Sequence, residues 1–268
     1  MSKEITIVEQ RAILVDVLQT VHDFCVSHDI KYSLAFGTLL GAVRHKGFIP
    51  WDDDIDIAML RDDYEKFAQL FNKENDIYRF YDCRNDKDVN IVFGKVADTR
   101  TMVIEGANSK NLGIAVDVFP IDDFRDTVED SQRFFNSLRF SKIVYILKCR
   151  KVSDVRSMWK KPIYVMAKMI LGWYSLHKLV LSMNNNLVQN RFPNSRYVGY
   201  AMGLGKESNQ FDERKMWTEH CELLFEGRSF MAIKEYDKYL TREFGNYMQL
   251  PPEKDRVSEH DFFKIYWL

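Results

Sequence analysis

The chain has 268 residues, a formal net charge of −1 at pH 7, and a composition that is 46% hydrophobic and 29% charged. This composition is typical of a globular protein that forms one large domain or a compact pair of domains. The sequence contains no internal repeat and no low-complexity linker. The four cysteines form no Cys-x-x-Cys pair, which argues against a zinc ribbon and against a disulfide framework.

The first predicted element is a helix, because apolar residues recur at helical spacing over Val8–His28. Residues Tyr32–Phe36 then predict a short strand. The dipeptide Gly37-Thr38 is predicted to turn this strand into a helix that begins near Leu39. Helix N-termini favour anions, and glycine lets a ligand approach the backbone closely. The turn is therefore predicted to bind a phosphate through its backbone amides.

Three consecutive cations follow this turn, namely Arg44, His45 and Lys46. An arginine binds a phosphate through two parallel hydrogen bonds, and a lysine ammonium adds a compact positive charge. We therefore expect these three residues to neutralise a diphosphate.

An acidic segment comes next and runs Asp52-Asp53-Asp54-Ile55-Asp56-Ile57. Side chains alternate between the two faces of a strand, so Asp54 and Asp56 are predicted to share one face while the isoleucines enter the core. Carboxylates whose Cα atoms lie about 6.5 Å apart repel each other unless a divalent cation such as Mg²⁺, or Mn²⁺, lies between them.

Two other interpretations of the acidic segment compete with a metal site. A solvated acidic turn before an ordinary strand stays open for the triplet alone. An EF-hand loop is disfavoured, because its sixth position requires glycine and is Ile57 here. The order of glycine turn, short helix and Asp-x-Asp strand favours a nucleotide-phosphate site with its metal.

A helix is predicted over Asp62–Phe71, and a small mixed sheet is predicted to follow it. The candidate strands of this sheet are Tyr78–Tyr81, Ile91–Ala97, Met102–Glu105 and Ile114–Val118. From Thr127 onward, helices are predicted to dominate. Near the C-terminus we expect a tight turn over residues 226–229 and a last helix, Ile233–Phe244, that ends at Gly245.

Two charged residues lie in the predicted strands. Asp117 interrupts an apolar run in which a lone carboxylate has no packing role, so it is either a further site residue or the cap of a turn before Pro120. Lys95 is either a phosphate-binding cation or a side chain that extends from a strand edge to solvent.

The segment 142–180 is strongly basic, with nine lysine or arginine residues and one acid, Asp154. Aromatic and aliphatic residues lie between these cations, which favours an amphipathic helix on an anionic membrane surface. Lys168 interrupts the apolar stretch and argues against a membrane span. A solvated basic face over ordinary core aromatics stays open, as does a glycan phosphate or nucleic acid as the anion. The first residues lack the apolar run of a signal peptide, so we expect a cytoplasmic protein.

The stretch 36–59, with its glycine turn and Asp-x-Asp strand, resembles the signature of the LicD family, which includes bacterial phosphorylcholine transferases and is related to fukutin-type proteins. Further segments resemble family patterns in the same order: residues 93–98, 116–122, 225–227, 236–240 and 244–252. The resemblance spans most of the chain, although residues 127–210 match little. The family's members are enzymes of the nucleotidyltransferase fold.

The resemblance implies an α+β protein with a small mixed sheet, flanking helices and a mostly helical C-terminal part. It places a catalytic core at residues 1–126 and the helical region, packed on that core, at 127–268. The implied reaction transfers phosphocholine from CDP-choline, or a related phospho-alcohol, to a hydroxyl of a lipid-linked cell-surface glycan or teichoic acid precursor. Metal binding carries over to Asp54 and Asp56, and Asp117 would complete the metal site or accept the proton of the acceptor.

Three alternatives remain at this point. The donor is CDP-ribitol or CDP-glycerol, the enzyme is a nucleotidyltransferase that moves NMP from an NTP, or the protein is a non-catalytic membrane-associated binding protein. No nucleic-acid partner is expected. The donor phosphate is expected to contact Arg44 and Lys46, with Lys95 as a further candidate.

Overall fold

The structure, a computed structural model, describes residues 3–104, 111–154, 157–203, 211–256 and 264–268. The fold is a mixed α+β fold, as predicted. Its helices are α1 Ile7–Ser27, α2 Phe36–Arg44, α3 Arg61–Glu74, α4 Val128–Ser137, α5 Arg139–Cys149, α6 Lys161–Leu171, α7 Leu176–Gln189 and α8 Tyr236–Phe244. Its strands are β1 Ser33–Leu34, β2 Asp56–Leu60, β3 Tyr78–Tyr81, β4 Gly94–Asp98, β5 Thr101–Ile104, β6 Ala115–Asp123, β7 Tyr197–Gly199, β8 Asp212–Glu213, β9 His220–Phe225, β10 Arg228–Ile233 and β11 Lys264–Trp267.

The central sheet has the strand order β1-β2-β6-β4-β3, and β7 and β8 extend it beyond the end of β6. Strands β2 and β6 run parallel, whereas the other neighbouring strands pair antiparallel, so the sheet is mixed as predicted. The parallel pair β2–β6 lies in the middle of the sheet. A buried central strand is usually a continuous run of apolar residues. The charged residues Asp56 and Asp117 on these two strands depart from this pattern and therefore indicate a role other than packing.

One face of the sheet forms the main hydrophobic core with α1 and α3. Ile57, Val116 and Val118 are fully buried on this face. Phe67 of α3 contacts both Phe24 of α1 and Phe80 of β3 through edge-to-face ring packing. The opposite face is partly open, since Asp117 and Phe119 of β6 are only half-buried there. Helix α2 contacts β2, and the β9–β10 hairpin contacts β1 and α2.

Helix α1 begins where its local chemistry predicts. The hydroxyl of Thr6 accepts a hydrogen bond from the backbone N–H of Glu9, and the Glu9 carboxylate accepts one from the backbone N–H of Thr6. This reciprocal capping satisfies two amides of the first turn. The predicted helices over 8–28 and 62–71 are confirmed as α1 and α3, with bounds that differ by one to three residues.

Several predicted boundaries are wrong, and one of them is the start of the predicted strand Ile91–Ala97, which begins only at Gly94 as β4. Helix α2 begins at Phe36, so Gly37 and Thr38 lie inside its first turn and not in a turn before it. Strand β10 runs through Ile233, and α8 begins only at Tyr236. The predicted four-residue turn is shorter, because Phe225 pairs with Arg228 and only Glu226 and Gly227 remain in the loop. Both loop residues have positive φ, of 50° and 77°, which is the backbone of a tight two-residue hairpin turn.

Strand β6 is longer than predicted and continues through Pro120 to Asp123. The N–H of Asp117 points to β2, where it donates to the carbonyl of Ile55, so the even-numbered amides of β6 point to the other side. On that side β4 pairs only as far as Val118 and β7 begins pairing at Asp122. Pro120 lacks an N–H, and it is tolerated because its position falls between these two partners. The alternative in which Asp117 caps a turn is therefore wrong.

The C-terminal residues add to the first half of the chain. Strand β11 pairs with β5, and the hydroxyl of Ser33 in β1 accepts a hydrogen bond from the N–H of Ile233 in β10. The main core cluster combines residues from both sides of residue 126, while a second cluster lies among α4, α5 and α7. The domain boundary at 126 stays a prediction. Glu105, the last residue of a predicted strand, lies outside the described residues.

Among the described residues, no helix combines the length and the hydropathy that crossing a membrane requires.

Two acidic residues at the end of β6 join the sheet to the helical region. Asp122 accepts two hydrogen bonds from Arg61 of α3, with distances of 2.8 and 2.5 Å to the same oxygen, and both side chains are fully buried. Asp123 pairs with Arg191, which follows α7, and with Arg214, which follows β8. These ion pairs tie segments that are distant in sequence to one end of the central strand.

We predict that Asp122→Ala lowers the free energy of unfolding by about 3 kcal/mol, because it leaves the buried Arg61 guanidinium with only Glu65, at 3.2 Å, as a counter-charge. Chemical denaturation at neutral pH measures the loss. The matched control is Glu213→Ala, which removes an exposed ion pair with Arg196 and should cost less than about 1 kcal/mol. Equal losses in the two variants would contradict the assigned importance of the buried pair.

Candidate functional site

A row of three charged residues crosses the partly open face of the sheet. Asp56 of β2 pairs directly with Asp117 of β6, and Lys95 of β4 pairs with Asp117 from the other side. Paired residues on neighbouring strands lie about 4.8 Å apart and point to the same face. The structure therefore brings together three of the predicted site residues, which we call the carboxylate row.

Within the carboxylate row, Lys95 forms an ion pair with Asp117. The Nζ of Lys95 lies 2.8 Å from one carboxylate oxygen of Asp117 and 3.2 Å from the other. Both side chains are less than one-fifth exposed, at 19% and 17%, so the pair is only partly screened by water. Lys95 is thus oriented by the site and does not extend away into solvent.

Asp56 lies in a strongly negative environment. Its pKa is raised well above the usual range of an aspartate, first because the carboxyl is buried, and then because Asp54, Asp117 and Asp52 place negative charge near it. Lys95 is the cation that opposes this rise. Four carboxylates against one ammonium leave an excess of negative charge, which a bound cation would balance.

The amino end of α2 contacts the start of β2 beside this row. The hydroxyl of Thr38 accepts a hydrogen bond of 2.8 Å from the backbone N–H of Asp56. A Cβ added to Gly37 would lie 2.8 Å from a carboxylate oxygen of Asp52, so a side chain there would collide with that carboxylate. The glycine is needed to let Asp52 approach the first turn of α2, where the helix dipole favours negative charge.

Asp54 precedes β2 and is not part of it. Ile55 and Ile57 are both fully buried, and Asp54 and Asp56 are half-buried, which agrees with the predicted alternation. Asp54 acts on Asp56 through its charge, as the second largest cause of the raised pKa.

Arg44, His45 and Lys46 lie at the C-terminal end of α2, which closes with Arg44. Arg44 comes six positions after Thr38, which is a rise of about 9 Å along the helix axis. Arg44 donates to the carbonyl of Tyr247 at 2.7 Å and to the ring of His45 at 2.9 Å. The carbonyl of Lys46 accepts a hydrogen bond from the backbone N–H of Glu226 in the hairpin. The structure does not bring Arg44, His45 and Lys46 to the carboxylate row.

Sequence reasoning misses two features of this site. It treats Asp52 only as part of an acidic turn, although the carboxylate of this residue approaches Gly37. It also misses Phe119, which follows Asp117 by two residues on β6, and Phe93, which precedes Lys95 by two residues just before β4 begins. The two-residue spacing of a strand was the signal that could have found these rings.

The carboxylates of the row have the chemistry that a hard divalent cation requires. In the described parts of the chain, however, no three or more His, Cys, Asp or Glu side chains are grouped closely enough to hold a metal ion by themselves. Mg²⁺ is commonly bound by one or two carboxylates together with substrate phosphates and water. The paired Asp56 and Asp117 fit this arrangement better than a closed cage of three aspartates.

Comparison with known proteins gives one family. The family model described as LicD/FKTN/FKRP, nucleotidyltransferase domain, matches residues 29–149, a range that contains the whole carboxylate row. The chain is 31% identical to the lipopolysaccharide cholinephosphotransferase LicD of Haemophilus influenzae, in an alignment that covers 96% of this chain and 97% of that protein. A shorter similarity, of 42% identity over 25% of the chain and 22% of the relative, is found with an uncharacterized protein of Rickettsia typhi.

We predict that Asp56→Asn raises the free energy of unfolding by about 1 kcal/mol when divalent metal is absent, because it removes one charge from a repelling group. Thermal unfolding in the presence of a chelator measures the change. Asp53→Asn is the matched control, since Asp53 belongs to the same acidic segment and is not among the main charges acting on Asp56. A loss of stability in Asp56→Asn would contradict the repulsion.

Proposed function

The chain belongs to the LicD family, and on this basis we propose that it transfers phosphocholine from CDP-choline to a hydroxyl of a cell-surface glycan and releases CMP. The observation that carries the proposal is the pairing of Asp56 with Asp117 on the open sheet face, inside the matched nucleotidyltransferase domain. The full-length similarity to a lipopolysaccharide cholinephosphotransferase supports the choice of choline and of a glycan acceptor.

The proposed reaction is a displacement at the phosphorus atom that carries choline. The acceptor oxygen forms a bond to this phosphorus, the bond between phosphorus and the bridging oxygen of CMP breaks, and CMP leaves with the electron pair. The hydroxyl proton passes to a carboxylate oxygen of the carboxylate row. Positioning and charge neutralisation provide most of the catalysis in such reactions.

We assign the metal to Asp56 and Asp117, with Asp54 as a further contributor of negative charge. A Mg²⁺ or Mn²⁺ ion there would neutralise donor phosphate oxygens and polarise the phosphorus. Lys95 lies at the end of the row, where its ammonium orients Asp117 and would also contact a donor phosphate oxygen. The backbone amides of Gly37 and Thr38, in the first turn of α2, are the proposed anion-binding groups on the other side.

Phosphate binding by Arg44, His45 and Lys46 stays a prediction. The contacts of Arg44 with His45 and with the carbonyl of Tyr247 favour a structural role, in which it connects α2 to the chain after α8.

We further propose that α6 and its flanks contact an anionic membrane surface. The apolar residues Ile163, Met166 and Ile170 recur at intervals of three or four, which places them on one side of α6, and Trp159 and Trp173 flank the helix. Each of these five side chains is more than half exposed. None of the described side chains of α6 is buried, although the helix is largely apolar. Tryptophan at both ends of such a stripe suits the interface between lipid headgroups and acyl chains.

Basic residues accompany this apolar stripe. Arg150 and Lys151 are exposed, and anionic headgroups would attract them. Lys142 does not contribute, because it is buried with its Nζ 3.6 Å from the ring centre of Phe135, and burial lowers its pKa to about 8. Surface contact of this kind would bring the enzyme to a lipid-linked acceptor. A location at the inner face of the cell membrane stays a prediction.

For the activity, we predict that Asp56→Asn and Asp117→Asn each lower the rate of CMP release from CDP-choline at least about a hundredfold, with the fold retained. The assay uses purified protein, Mg²⁺ and a glycan acceptor, and chelation of Mg²⁺ should abolish turnover. Asp53→Asn is the matched control and should retain activity.

The donor panel separates the alternatives. CDP-ribitol and CDP-glycerol test other phospho-alcohols, and CTP tests nucleotidyl transfer through release of pyrophosphate. Consumption of CTP without consumption of any CDP-alcohol would contradict the proposal. An Asp56→Asn variant that keeps its cellular role at normal protein levels would support a non-catalytic protein instead.

For the membrane surface, we predict that the protein sediments with vesicles containing phosphatidylglycerol, less with phosphatidylcholine alone, and less at high salt. Trp173→Ala should weaken this binding about tenfold, because it removes a side chain that is 85% exposed and would enter the interface. Val8→Asn is the control, at an exposed apolar position on α1. Concentration-dependent dimers without vesicle binding would show that a second copy covers the stripe.

A further inference from the structure

A second row of side chains lies next to the carboxylate row on the same open face. Phe119 follows Asp117 by two residues on β6, and Phe93 precedes Lys95 by two residues before β4. A two-residue step along a strand is about 6.6 Å. On the neighbouring strand β2, Phe119 pairs with Ala58, whose small side chain covers little of this face. Both phenylalanines are half-buried.

Four rings meet at this second row, centred on Phe119. Phe93 stacks on Phe119 with the ring centres 4.6 Å apart and the planes 27° from parallel. Phe36 and Tyr200 each approach Phe119 nearly at right angles, at 5.0 and 5.1 Å. These rings pack against one another, and all four side chains are only half-buried, so part of the ring surface is accessible from the open face. We call these four residues the aromatic cluster.

The backbone at Phe36 is strained. Its φ is +44°, in the left-handed region that a bulky side chain rarely adopts. Such a conformation is unfavourable and persists where the surrounding structure requires it. Here the strained residue opens α2 and directs its ring onto Phe119, next to the proposed anion-binding turn.

The charges near the aromatic cluster favour a cation. The Nζ of Lys95 lies 5.5 Å from the ring centre of Phe93, so an ammonium is already accommodated against one of these faces. Asp117 neutralises this ammonium at 2.8 Å, so the ring faces do not lie beside an uncompensated positive charge.

We propose that the aromatic cluster binds the trimethylammonium group of the donor's choline. The inference rests on the proposed function and assigns residues to the headgroup of that donor. Aromatic faces suit a quaternary ammonium, which has no N–H to donate and is weakly hydrated by comparison with a primary amine. The hydroxyls of a ribitol or glycerol headgroup would lose water against these rings without gaining hydrogen bonds. The short linker of phosphocholine would place its phosphorus toward the carboxylate row.

Binding of CDP-choline, CDP-ethanolamine and CMP, each measured by titration calorimetry with Mg²⁺, tests the assignment. Wild-type protein should prefer CDP-choline to CDP-ethanolamine. Phe93→Leu should weaken CDP-choline about tenfold and change the affinity for CMP less than twofold. Phe93→Tyr, which keeps an electron-rich ring, should restore binding. Phe36→Leu provides a second variant if Phe93→Leu does not fold, and Phe140→Leu, at an exposed ring on α5, is the control.

The outcomes separate this inference from the function on which it rests. An equal loss of CMP and CDP-choline affinity in Phe93→Leu would overturn it, because the rings would then hold the cytosine base. Equal wild-type affinity for CDP-choline and CDP-ethanolamine would also overturn it, while phospho-alcohol transfer itself would stand. Failure to bind CMP or any CDP-alcohol would overturn both proposals.

Discussion

The parallel pairing of β2 with β6 is the constraint on which the candidate site depends. It sets Asp56 opposite Asp117, and a slip of one residue would turn one of these carboxylates into the core and an aliphatic side chain out of it. The register is held by the apolar residues between the charges, since Ile57, Val116 and Val118 are fully buried on the other face. The hydrogen bond from Asp56 to Thr38 then fixes α2 against the same end of β2. Core packing therefore determines the geometry of the site, because the buried apolar residues fix the positions of Asp56 and Asp117.

Much of this arrangement is readable from local pattern. The alternation of aspartate and isoleucine predicts which side chains of β2 face the core, and the lone carboxylate in an apolar run singles out Asp117. The local pattern does not show where the residues at the end of a helix lie relative to those at its start. Arg44 follows Gly37 closely in sequence, yet α2 takes it to the far end, where its partner is Tyr247. The approach of Asp52 to Gly37 likewise requires the loop after α2 to return, which depends on contacts between residues distant in sequence. The pairing of β11 with β5 and the position of Tyr200 beside Phe119 are long-range in the same sense.

Strand β6 combines two opposite uses of acidic residues. At its beginning, Asp117 belongs to a group in which negative charge exceeds positive charge, an arrangement that weakens the folded state and suits a site that binds cations. At its end, Asp122 and Asp123 are neutralised by Arg61, Arg191 and Arg214, which join the sheet to α3 and to the helical region. The same strand thus carries the unbalanced charges of the site and the balanced charges of the scaffold.

The proline in β6 has a consequence for the shape of the sheet. Because Pro120 has no N–H on the side away from β2, the hydrogen-bond ladder on that side is interrupted there. Strand β4 pairs with β6 before the interruption, and β7 pairs with it afterwards. This leaves a gap in the ladder between Val118 and Asp122. Phe119 lies at this gap, and Tyr200, which directly follows β7, contacts its ring there. A single imino acid in the strand thus gives side chains from the second half of the chain access to the centre of the sheet.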